Sequence, residues 1–131
     1  MSDYYLGFDF GKKRIGVAIG QDITSTARPL TQIATDDQNA LVDVMNEWQP
    51  KALIVGLPLN MDDTAGPLAK AAKKFAKRLE NVFERPVHLC DERLTSREAI
   101  ERLKLQGKNK PTKAEINSMA AAVILETWLL S

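Results

Sequence analysis

Two carboxylates close apolar runs in this 131-residue sequence: Asp9 within Tyr4-Tyr5-Leu6-Gly7-Phe8-Asp9-Phe10-Gly11, and Glu92 after Val87-His88-Leu89-Cys90-Asp91. In an open α/β sheet, ligands bind outside the carboxyl ends of the strands, so acids at two strand ends can face one cleft. Hard oxygen donors of this kind suit Mg²⁺ or Mn²⁺, and a cation so held can activate water beside a phosphate. Taken singly, each acid is more readily read as an ordinary solvated strand end. The chemistry therefore depends on the elements that bring them together.

Those elements are legible from periodicity and punctuation. Strands are predicted near 4–10, 14–20 and 27–34, the first two joined by a tight turn, followed by a helix near 37–48. In that helix Leu41, Val44, Met45 and Trp48 form one apolar stripe, and Pro50 ends it. Ala52 to Gly56 has no polar alternation, as in a strand covered on both faces. A loop over 56–66 leads to a helix near 67–83, with Leu68, Ala71, Ala72, Phe75, Leu79, Val82 and Phe83 inward and a row of lysines outward. A fifth strand spans Val87 to Asp91. Thr95-Ser96-Arg97-Glu98 and Thr112-Lys113-Ala114-Glu115 both match the capping-box pattern, and Gly107 closes the first of the two helices they would open. The last helix is apolar nearly all round from Met119 to Leu125, which predicts burial. The order βββαβαβαα implies a mixed five-stranded sheet flanked by helices on both faces, an α/β fold in which the last two strands arrive through parallel crossovers.

Composition narrows the classes of function. Hydrophobic residues make up 44% and charged residues 27%, as in a globular domain, and the length suits one domain over residues 1–131. The only cysteine, Cys90, has no internal disulfide partner, which points to a reducing cytoplasm and a buried thiol. No secretory signal is visible at the N-terminus, and Glu126 and Thr127 interrupt the terminal apolar run well short of a membrane span. A net charge of +1 argues against indiscriminate nucleic-acid binding. Between Arg93 and Lys113, however, seven basic residues face two acids, while four acids and no base lie between Asp36 and Glu47. Such asymmetry fits a phosphate backbone as well as a solvated surface. His88 alternates with apolar neighbours as a structural residue would, and Trp48 and Trp128 occupy core-like helical positions. There is no Walker-type loop, dinucleotide fingerprint or zinc-like Cys/His spacing.

Gly7-Phe8-Asp9-Phe10-Gly11-Lys12-Lys13-Arg14-Ile15-Gly16-Val17-Ala18 resembles the opening signature of the YqgF/RuvX family. Three further blocks agree in order: Ile54 to Asn60, Asp91-Glu92-Arg93-Leu94-Thr95-Ser96, and Ala120 to Glu126. The resemblance implies a ribonuclease H-like fold and a metal-dependent nuclease. The family is described both as Holliday junction resolvases and as nucleases that mature the 5′ end of pre-16S ribosomal RNA. Its acidic triad maps onto Asp9, Glu92 and Asn117, which would bind Mg²⁺ or Mn²⁺ as catalytic and metal-ligating residues. Lys12, Lys13, Arg14, Arg93 and Arg97 would contact the nucleic acid, and Gly11 would let the backbone approach a phosphate. The implied partners are pre-rRNA, within ribosomal precursor particles, or branched DNA, engaged by a monomer or homodimer in the cytoplasm, away from any membrane.

Asn117 departs from the pattern, since it supplies a carbonyl oxygen where the family has a charge. That leaves three readings: a weakened metal site completed by Asn117, a site rebuilt from a neighbouring acid, or a nucleic-acid-binding protein without hydrolysis. An ATPase of the actin-like class, which also opens on an Asp-x-Gly hairpin, is a more distant alternative, because those proteins enclose nucleotide between two such domains.

Overall fold

Apolar residues with β-branched and aromatic side chains form β1 (Tyr4–Phe10) and β2 (Arg14–Gln21), joined by the three residues Gly11-Lys12-Lys13. In this computed structural model, which describes residues 3–58, 62, 64–92 and 95–131, β3 (Thr26–Ala34) completes an antiparallel meander. Helix α1 (Gln38–Trp48) starts at Asp37, whose carboxylate accepts a hydrogen bond from the Ala40 amide at 3.0 Å. Strand β4 (Ala52–Leu57) then pairs parallel to β1, and α2 (Pro67–Phe83) carries the chain to β5 (Val87–Asp91), parallel to β4. Helices α3 (Thr95–Leu105) and α4 (Lys113–Leu130) follow. The sheet order β3-β2-β1-β4-β5 is mixed, with β1 and β4 side by side. The predicted element order and pairing hold throughout.

Alternation divides the side chains of β1 between two cores. Leu6, Phe8 and Phe10 pack with Leu41, Met45, Phe75 and Leu79 of α1 and α2. Tyr5, Ala18 and Ile54 pack with Ala99 and Leu103 of α3 and with Met119 to Ala122, Ile124 and Leu125 of α4. Asp9, between Phe8 and Phe10, therefore faces the α4 side.

Three local expectations are corrected. Val82 is 53% exposed, because the buried arc of α2 runs through Ala69, Ala72, Ala76 and Leu79, with Phe83 next on it. Val82 lies about 100° of helix rotation from Phe83. Thr95 does not form a capping box with Glu98. It is the first residue of α3, its hydroxyl donates to the Glu92 carbonyl at 2.6 Å, and Glu98 pairs with Arg102. Cys90 is half-buried, since β5 is the edge strand of the sheet. Partial burial, with Asp91 and Glu92 nearby, pushes its thiol pKa up. The capping box of α4 does form, between Thr112 and Glu115. His88 stacks on Trp128 with ring centres 4.9 Å apart, a structural contact as expected. Among the described residues, no helix is long and apolar enough to cross a membrane.

Helix α4 lies unusually close to the sheet. A Cβ on Gly7 would come within 2.7 Å of Leu125 Cβ and 2.9 Å of the Ala121 carbonyl oxygen, and one on Gly16 would collide with the main-chain carbonyl of Asn117. Glycine inside a strand commonly marks such close approach. The small residues Ala120 and Ala121 are buried in the same seam.

Candidate active site

One row of residues across the sheet organises the site. The register pairs Asp9 of β1 with Gly16 of β2, and Gly16 with Gln32 of β3, so these three positions lie side by side on one face. On the other flank of β1, Phe8 pairs with Val55, which brings Asp9 and Gly56 next along their two strands. The two glycines beside Asp9 leave space that other groups fill. A Cβ on Gly56 would lie 2.7 Å from Glu92 Oε2 and 2.8 Å from its carboxyl carbon. The missing side chain of Gly16 makes room for the first turns of α4 at Asn117. Asp9 thus sits between the Glu92 carboxyl and Asn117.

Glu92 is only 8% exposed and is hydrogen-bonded to Asp9. Burial, then the nearby Asp9 charge, then that hydrogen bond all raise its pKa, with a further contribution from Asp91. Burial also raises the Asp9 pKa, opposed by the hydrogen bond from Glu92. Without a counter-charge, the two carboxyls share one proton. A cation between them would replace that proton and relieve the repulsion, so the donor set suits a hard divalent ion. Among the described residues, no group of three or more His, Cys, Asp or Glu side chains is placed to hold a metal. A cation here would draw on two carboxylates and neutral oxygens.

Asn117 stands in the second turn of α4, and its side-chain amide donates to Gln32 Oε1 at 2.7 Å. Glu115 is no substitute acid. Its carboxylate accepts from the Thr112 amide and pairs with Lys108, contacts that hold its pKa down at about 2. Asp91 is exposed while Glu92 is buried, as strand alternation predicts.

Two depressions meet at Asp9. One, of about 450 Å³, is lined by Asp9, Gly11, Lys13, Arg14, Lys113 and Asn117. The other, of about 200 Å³, adds Glu92, Thr95 and Ser96. Lys13 and Arg14 therefore border Asp9, and both also line a neighbouring hollow with Lys12, Thr35, Asp36 and Arg78. Arg97 is exposed on α3, paired with Glu101 at 3.7 Å, and Arg93 lies outside the described residues. The basic 93–113 segment is partly neutralised in three dimensions: Arg102 bridges Glu98 and Glu126, and Lys108 meets Glu115. Residue order alone gave Gly16, Gly56 and Gln32 no role. A glycine within each strand run was the available signal for the first two, while nothing local marked Gln32.

A family model described as "RuvX: Holliday junction resolvase" matches residues 3–131. The chain belongs to the RuvX family. It is 51% identical over 130 residues to a Legionella pneumophila (strain Lens) protein, covering 95% of this chain and 94% of that one. To an Escherichia coli O157:H7 protein it is 49% identical over 133 residues, covering 98% and 96%. Both relatives bear the name "Putative pre-16S rRNA nuclease". Among solved structures, Thermus thermophilus RuvC in complex with Holliday junction substrate superposes with a TM-score of 0.61 at 14% identity, covering 97% of this chain and 93% of that one. The fowlpox virus Holliday junction resolvase gives 0.59 at 15% identity, covering 97% and 98%. At such identities the likeness establishes the fold alone, which is ribonuclease H-like. The RuvX family is one of nucleases, so the activity at issue is hydrolysis of a nucleic-acid phosphodiester bond.

Proposed function

We propose that this RuvX protein is a metal-dependent endonuclease, acting as a single cytoplasmic domain, that trims the 5′ end of pre-16S ribosomal RNA within ribosomal precursor particles. The observation that carries this reading is the Asp9–Glu92 pair, Glu92 buried and Asp9 half-buried, with Asp9 opening on a cleft rimmed by Lys13, Arg14 and Lys113. The relatives' shared name supports the RNA substrate.

Asp9, Glu92 and the Asn117 carbonyl oxygen would hold Mg²⁺ or Mn²⁺, which when bound supplies charge to activate water and steady the leaving oxygen. The chain's own residues supply position. Lys13, Arg14 and Lys113 draw the phosphate backbone over the acids, with Lys12 and Arg97 extending the path at its margins. Gly11 lets the main chain approach a phosphate without a side chain intervening. Glu92, desolvated against Gly56, is held in one orientation, so little reorganisation accompanies the reaction.

The test is cleavage of a 5′-extended pre-16S RNA and of a four-way DNA junction, each with Mn²⁺, Mg²⁺ or EDTA, by the wild type and by Asp9→Asn. Metal-dependent RNA cleavage that disappears in Asp9→Asn is the expected result. Cleavage of the junction alone would move the substrate to branched DNA, the activity for which the family is described. Binding without cleavage under any metal, with cleavage gained in Asn117→Asp, would make the native chain a binding protein.

A further inference from the structure

The geometry points to Gln32 as a positioning residue that aims the Asn117 carbonyl oxygen at the metal site. This rests on the proposed metal-dependent reading and deepens it. An aspartate at the third position could present either of two equivalent oxygens to a cation. Asparagine cannot: one end of its amide accepts and the other donates, and a half-turn about the terminal bond would aim an N–H at the cation instead. A neutral ligand therefore needs something to fix its sense.

The row across the sheet supplies it. Asp9, Gly16 and Gln32 are successive cross-strand neighbours on β1, β2 and β3, and Asn117 lies over the gap at Gly16. Strands are spaced about 4.8 Å apart, so Asp9 and Gln32 stand on opposite sides of Asn117, about 10 Å from each other. The Asn117 Nδ2 group donates to Gln32 Oε1 at 2.7 Å. With its nitrogen engaged by Gln32 on β3, the amide has its oxygen left to offer the depression that Asn117 lines with Asp9 and Gln32 does not. Lys13, Arg14 and Lys113 on that depression also favour an oxygen there over an N–H. Gln32 thereby does for an asparagine what an outer hydrogen-bond partner does for a metal-ligating histidine.

The experiment measures Mn²⁺ binding to the purified full chain without nucleic acid, by calorimetry or electron paramagnetic resonance. The proteins are wild type, Gln32→Leu, Gln32→Glu, Asn117→Asp and the double variant Gln32→Leu/Asn117→Asp. Gln32→Leu is expected to weaken Mn²⁺ binding roughly ten- to a hundred-fold. Gln32→Glu still accepts the amide bond and should stay within a few-fold of wild type. In the Asn117→Asp background, Gln32→Leu should change little, because a carboxylate has no wrong orientation.

Equal losses in both backgrounds would mean that Gln32 acts only through folding, and wild-type affinity in Gln32→Leu would mean that it does nothing. Either result overturns the inference while leaving the metal site in place. Failure of every protein, Asn117→Asp included, to bind Mn²⁺ would overturn both the inference and the metal-dependent reading. Should Gln32→Leu not fold, the Asn117 side-chain amide protons decide in the folded Gln32→Ser variant, observed by NMR without metal. Exchange faster than in wild type supports the inference, and unchanged exchange overturns it.

Discussion

Replacing Glu92 by Gln should abolish hydrolysis and at the same time stabilise the metal-free protein at neutral pH. In the metal-free fold, burial and the Asp9 charge raise the Glu92 pKa from its ordinary 4.5 to about 10. The folded protein therefore keeps a proton that the unfolded chain has already released above about pH 4.5. A raised folded-state pKa contributes stability that is present below the unfolded value and lost as pH climbs toward the folded one. The slope is at most about 1.4 kcal/mol per pH unit for one proton, and less if the two carboxyls share the titration. For a chain of this length that corresponds to at most about 5 °C of Tm per pH unit. Denaturation in EDTA at pH 5.5, 6.5, 7.5 and 8.5 reads the effect. Wild type should lose stability steadily over that range, whereas Glu92→Gln, which carries a permanent hydrogen-bond donor and no charge, should lack that component. Mn²⁺ should stabilise wild type increasingly as pH rises, because binding must displace the shared proton. Parallel pH slopes for the two metal-free proteins would refute the proton-sharing argument.

Three further outcomes follow from the same geometry. Gly16→Ala drives a methyl into the main-chain carbonyl of Asn117, so α4 must lift from the sheet. Chemical denaturation should show a loss of about 1–3 kcal/mol or more, and Mn²⁺ affinity should fall with it. Gly56→Ala meets the Glu92 carboxyl at 2.7–2.8 Å, together with the flexible end of Ile124. It should reduce kcat more than stability, as read by turnover beside a melting curve. Lys13→Gln with Arg14→Gln should raise KM with a smaller change in kcat. It should also make the plot of log affinity against log salt for RNA shallower, by about 0.7–0.9 in slope for each phosphate left unneutralised, measured by fluorescence anisotropy.

The sequence carried most of the architecture because local rules agreed with the fold. A near-continuous apolar run in β1, a both-sides-apolar β4 and the capping box at Thr112 each required only neighbours in the chain. It failed where an outcome depended on which surface an element meets. Val82 looked apolar enough to be inside and is not, and Thr95 had the residues of a cap but spends its hydroxyl on the Glu92 carbonyl. The +5 of the 93–113 segment is partly offset by contacts from outside it, since Glu126 and Glu115 of α4 come across to Arg102 and Lys108.

Residue order alone therefore determined that two acids end strands of a mixed sheet, that a basic turn follows the first, and that an amide stands where a third charge is usual. Only the tertiary structure decided how close they come. Strand pairing brings residues 9, 16 and 32 into one row, and two absent side chains admit a carboxyl from one direction and a helix from the other. No local pattern encodes that, because a glycine reports its purpose only through the group that fills the space beside it. The bond from Asn117 to Gln32 joins positions 85 residues apart, and packing alone makes them neighbours.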